Sequence, residues 1–73
     1  MKIIYRYTVQ EVFEHNQASR LFAIIETSRY SDGQLIDREQ IGDCYTDREE
    51  AQGVCKVLNR NTIQQENFDE FYH

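Results

Sequence analysis

Arg20-Leu21-Phe22-Ala23-Ile24-Ile25-Glu26-Thr27-Ser28-Arg29-Tyr30, followed by Ser31-Asp32-Gly33-Gln34-Leu35, is the stretch that decides the fold. Leu21 to Ile25 is apolar without a break, so a strand here is apolar on both faces at one end, as suits the middle of a sheet. Asp32-Gly33 marks a hairpin turn, because Gly takes positive φ without a Cβ clash and Asp-Gly suits a two-residue turn. That turn predicts Tyr30 opposite Leu35, Ser28 opposite Asp37, Glu26 opposite Glu39 and Ile24 opposite Ile41. The other face then carries Leu21, Ala23, Ile25, Ile36, Gly42 and Cys44. A slip of one residue would exchange the two faces.

Upstream, Ile3, Tyr5, Tyr7, Val9 and Phe13 alternate with Arg6, Thr8 and Gln10, the period of a strand with one apolar face. The polar stretch Glu14 to Ser19 is short enough to join antiparallel neighbours. Downstream, the third strand ends near Tyr45. Thr46-Asp47-Arg48-Glu49 then fits a capping box, with Thr46 as the cap. Ala51, Val54, Cys55 and Leu58 follow at helical spacing and form one apolar stripe. Gly53 lowers helix propensity, which predicts a close approach to the sheet backbone. Asn59-Arg60-Asn61 reads as a helix end.

The expected architecture is therefore α+β: a three-stranded antiparallel meander over 1–45 and an amphipathic helix over 46–60 packed on one face. Residues 61–73 form an aromatic, acidic C-terminal tail or a short second helix. A chain of 73 residues has room for a single modest core.

Composition narrows the function. Thirteen acidic against eight basic residues give a formal net charge of −5, which opposes attachment to a phosphate backbone or an anionic membrane. The longest apolar run, Leu21 to Ile25, falls far short of the roughly twenty residues that cross a bilayer. Lys2 and Arg6 interrupt the start of the chain before any apolar stretch of leader length, so a cytoplasmic location is expected. Cys44 and Cys55 are expected there as reduced, buried small side chains. With only His15 and His73 and no paired close ligands, neither a metal site nor a cofactor is predicted.

No nucleophile sits beside a base in any motif, so the chain is not read as an enzyme. The one alternative is a small metal-dependent enzyme or metal-binding protein using Glu26, Asp37 and Glu39, which share a sheet face in the expected register. Tyr5, Tyr7, Phe22 and Tyr30 invite comparison with base-stacking sheets, but no basic groove accompanies them. Packing against protein is the simpler role for five tyrosines in so short a chain.

One helix covers one face of such a sheet and leaves a second bearing Phe22, Ile24, Tyr30, Leu35 and Ile41. Contiguous apolar patches rarely stay bare. The expected covers are the tail, through Phe68, Phe71 and Tyr72, or a second copy forming a homodimer, or a different protein. The function expected is that of a small, acidic, non-catalytic protein-binding module, similar in size and acidity to accessory proteins of bacteria and their phages. A sharper form is an acidic inhibitor that occupies a nucleic-acid-binding groove through Asp43, Asp47, Glu49, Glu50, Glu66, Asp69 and Glu70.

Overall fold

The structure, a computed structural model, describes residues 2–13 and 20–71, with side chains as far as Asn67. Three strands of eleven residues, β1 (Ile3–Phe13), β2 (Arg20–Tyr30) and β3 (Leu35–Tyr45), precede one helix, α1 (Arg48–Phe71). The sheet is antiparallel in the order β1-β2-β3, so the apolar strand β2 is the central one. The meander-then-helix architecture expected from the sequence is the one observed.

The β2–β3 turn holds three residues rather than two. Gly33 donates its N–H to the Tyr30 carbonyl at 2.8 Å, and Tyr30 donates to the Gln34 carbonyl at 2.9 Å. Gly33 takes φ +95°, the left-handed residue that closes a three-residue hairpin loop. Leu35 consequently opposes Arg29, not Tyr30, and lies on the face away from Tyr30. An extra residue, Ile36, then bulges and restores the expected pairs Ser28–Asp37, Glu26–Glu39 and Ile24–Ile41. Further along, three residues of β3, Gly42 to Cys44, oppose the single Ala23. Gly42 turns the strand there at φ +67°.

The start of α1 is one residue later than the capping box suggested. Asp47 is the cap: its Oδ1 accepts from Glu49 N at 3.0 Å and its carbonyl from Ala51 N at 3.2 Å. The helix also runs on through 59–71 where the sequence suggested an end. Asn59-Arg60-Asn61 has weak helix propensity, but tertiary anchors on that stretch override it. Asn59 bonds the main chain of Tyr7 twice, accepting from its N–H at 2.9 Å and donating to its carbonyl at 2.9 Å. Two turns later Glu66 accepts from Arg6 at 2.8 and 3.2 Å.

These anchors decide which face is covered. In the β1–β2 register Tyr7, Val9, Glu26, Ile24 and Phe22 share one face, called here the Tyr7 face. The helix sits on it: the Arg48 guanidinium lies 6.0 Å from the Phe22 ring centre. Thr62 is close enough to the Tyr7 hydroxyl to lower its pKa. The expectation that the Phe22–Ile24 face would be left bare is therefore corrected, because α1 itself covers it. The opposite face, called the Thr27 face, is the open one.

The core is small. Ala23, Ile24, Ile25, Ala51 and Cys55 are buried, and among the described residues no large side chain is completely enclosed. Ile25 lies on the open face yet is buried. Arg38 donates to Gln10 at 3.0 Å, and this bond bridges β3 to β1 across β2 at Ile25's position in the register. Gly53 is exposed, and a Cβ added to it would meet nothing within 4 Å, so the close sheet approach expected of it is absent.

Two substitutions test this account. Gly53→Ala should stabilise the fold by roughly 0.5–1 kcal/mol, since it restores helix propensity without a clash. Asn59→Leu should destabilise it by about 2 kcal/mol, the net worth of two hydrogen bonds. Urea denaturation followed by circular dichroism reads both. An unchanged midpoint for Asn59→Leu would show that the edge contact does not hold the helix.

Candidate functional site

The candidate partner-binding residues from the sequence divide among several environments. Ile24 is 2% exposed, so it is core and unavailable to a partner. Phe22, Tyr30 and Ile41 are half-buried on the Tyr7 face. Leu35 is 50% exposed on the open face beside Arg29. Phe68 and Phe71 lie in α1 beyond the described side chains, and Tyr72 lies outside the described residues.

The carboxylates of the alternative reading do not form an ion site. Among the described residues no group of three His, Cys, Asp or Glu side chains could hold a metal. Glu26 accepts instead from the Tyr7 hydroxyl at 2.9 Å, directly across the strand pair. Burial, and then this hydrogen bond, push the Tyr7 phenol above its usual range. Asp37 is turned to local use: its Oδ1 accepts from Arg38 N at 2.7 Å and its carbonyl from the Ser28 hydroxyl at 3.4 Å. Both cysteines are free. Cys55 is buried, and burial raises its thiol pKa. Cys44 is half-buried on β3.

A groove of about 520 Å³ runs between the start of β1 and the second half of α1, lined by Ile3, Tyr5, Asn61 and Thr62 among others. Ile3 and Tyr5 are each about two-fifths exposed on its floor. Arg6 and Glu66 bridge this end of the molecule. The bonds from Arg6 hold the Glu66 carboxyl below the usual carboxylate range.

The larger feature is the open Thr27 face, built from three strands in register. Ile4, Arg29 and Leu35 form one row across the sheet, and Arg6, Thr27 and Arg38 the next. Then come Thr8, Ile25 and Gln40, then Gln10 and Ala23, and last Val12 and Leu21. Among these registered positions none is acidic and none is aromatic. Arg6, Arg29 and Arg38 are readable from the sequence as counter-charges to Glu26 and Glu39, but the register sets them on the opposite face from those carboxylates. Asn59 is not readable in the same way, since its role appears only when α1 is known to pass 59.

Family models, curated proteins and solved structures yield no match to this chain. Among the described residues no helix is long and apolar enough to cross a membrane.

Two titrations follow. Glu66 has a depressed pKa in the folded state, so its stabilisation is present above the unfolded carboxylate pKa and is lost as pH falls through the folded value. Glu66→Gln should cost less than about 1 kcal/mol at neutral pH, since the Arg6 side chain is 43% exposed and screened. The difference from wild type should disappear on acidification; a pH-independent difference would refute the ion pair as its cause. Tyr7, with a raised pKa, contributes stability that is fully present below the unfolded phenol pKa and is lost as pH rises through the higher folded value. Ultraviolet titration of Tyr7→Phe should lack the delayed phenolate step of the wild-type chain.

Proposed function

We propose that this chain is a small, non-catalytic protein-binding module whose binding surface is the sheet face that α1 leaves open. The observation that carries the reading is surface. A compact monomer of 8.8 kDa exposes about 4,800 Å², whereas this chain exposes 5780 Å². The excess, about 1,000 Å², is similar to the roughly 800 Å² that each partner buries in an ordinary protein interface. Shape agrees: the radius of gyration is 14.6 Å against about 11 Å for a compact chain of this length.

Energetics support the same reading. A fold of this size usually needs a staple or a partner beyond its own core, and the core here contains two alanines and a cysteine among its five apolar members. Its cysteines are free, so no disulfide supplements it. Covering the open face would bury Ile4, Val12, Leu21 and Leu35, none of which is buried now. Occupation by a second copy and occupation by a different protein are two forms of this reading, and the small, acidic character of the chain suits an accessory protein in either form.

The experiment is a pull-down with tagged wild-type chain and with Leu21→Lys, whose fold is checked by circular dichroism. A discrete protein, which can be the untagged chain itself, should be retained by the wild type and lost from the variant. Identical proteins on both would overturn the open face as the binding surface. Sedimentation across a concentration range separates the two forms, since a second copy doubles the mass.

A further inference from the structure

We infer that the open face receives an acidic, amphipathic segment of a different protein, held by Arg29 and Arg38. This deepens the protein-binding reading above and rests on it. The register sets Arg6 and Arg38 on either side of Thr27, about 10 Å apart across two strand spacings. Arg29 stands two residues along β2 on the same face, so three arginines neighbour Thr27 in the register, although the Arg6 guanidinium itself is held by Glu66 of α1. Among the described residues neither Arg29 nor Arg38 has a carboxylate partner. Arg29 donates to the Gly33 carbonyl at 3.0 Å and Arg38 to the Gln10 amide oxygen at 3.0 Å. Arg6 is paired with Glu66, yet its side chain remains 43% exposed.

A guanidinium carries five N–H donors, so the single neutral acceptor of Arg29 and that of Arg38 leave most of their donors available. Carboxylates match that geometry in paired bonds. The apolar half of the partner is equally specified. Ile4 and Leu35 flank Arg29 directly, and Val12 and Leu21 continue the face beyond Gln10 and Ala23. A segment with acidic residues beside aliphatic ones meets both halves.

Two other occupants fit less well. Single-stranded nucleic acid takes much of its affinity from base stacking on aromatic side chains, and the registered positions of this face carry none. The net charge of −5 also repels a long polyanion. A second copy, laid face to face about a twofold axis that crosses the strands at Ile25, would set Arg29 over the other copy's Leu21 row and Arg38 over its Ala23 row. That contact would strip water from charge without pairing it.

The test uses the full-length chain and a fluorescent peptide of repeated Leu-Leu-Glu-Glu, read by anisotropy, with a Leu-Leu-Gln-Gln peptide and oligo-thymidine as comparators. The Glu peptide should bind. Its affinity should fall about tenfold or more at high salt and in the R29Q/R38Q double variant, as lost charge contacts require. The Gln peptide should not bind. Both substituted side chains are exposed, and circular dichroism verifies that the variant is folded. No binding of the Glu peptide, or binding that R29Q/R38Q leaves unchanged, overturns the proposal. Tighter binding of oligo-thymidine would replace it with a nucleic-acid surface. A two-chain mass that R29Q/R38Q reduces to one would replace it with self-association; in that case the protein-binding reading survives while this inference fails.

Discussion

The side-chain amide of Asn59 on the main chain of Tyr7 is the contact on which the arrangement of the molecule depends. An edge strand presents unpaired N–H and C=O groups, and Tyr7 directs one of each away from β2. Asn59 answers both at 2.9 Å, as the peptide group of a neighbouring strand would. Just beside it the Tyr5 carbonyl accepts from Arg6 at 2.7 Å, and Arg6 is itself tied to Glu66. The helix is thereby drawn along β1 instead of lying centrally over β2. Its apolar first half, Ala51 to Leu58, covers the Tyr7 face, while its polar second half, Asn59, Thr62 and Glu66, closes the edge.

Among the described residues, a helix committed to one edge leaves the other edge and the far face without cover, and the chain treats these two differently. The β3 edge is broken at Ile36 and again at Gly42 to Cys44, and the regular stretch between carries Asp37, Arg38 and Glu39. Bulges and charges are the usual protection of an edge against pairing with another strand. The open face has no such protection. Its central strand is apolar from Leu21 to Ile25, and only Ile25 and Ala23 are buried there, Ile25 beneath the Arg38–Gln10 bridge and Ala23 by its small size. A partner therefore finds a blocked edge and an available face.

Much of the fold could be read from the sequence because it rests on local periods. The alternation of β1, the continuous apolar run of β2, the Asp-Gly turn and the stripe from Ala51 to Leu58 each signal their element unaided. What escaped reading was non-local or depended on a single residue of register. The three-residue turn moved Leu35 to the other face, and only the compensating bulge at Ile36 preserved the remaining pairs. Asp47 rather than Thr46 caps the helix, although Asp47 and Glu50 also have capping-box spacing. The helix end was misjudged because Asn59 looks like a terminator by propensity, and its value lies in a strand fifty-two residues away. The covered face followed from that same contact and could not be known before it.

The charge of the chain shows why an average is a poor guide to a surface. A net of −5 argues against anionic partners only if the charges are mixed, and here the strand period separates them. In β1 and β2 the acidic side chains Glu11 and Glu26 fall on the Tyr7 face, as do Asp37 and Glu39 of β3 through the restored register. Arg6, Arg29 and Arg38 fall on the other face. At physiological ionic strength the Debye length is about 8 Å, shorter than the thickness of a sheet with its side chains on both sides. A group docked at Thr27 therefore responds to the arginines beside it more than to the carboxylates behind the sheet. Long-range steering follows the total charge, and contact follows the face. A short acidic segment, whose few charges are met one by one by guanidinium groups, can be accommodated where a long polyanion is turned away.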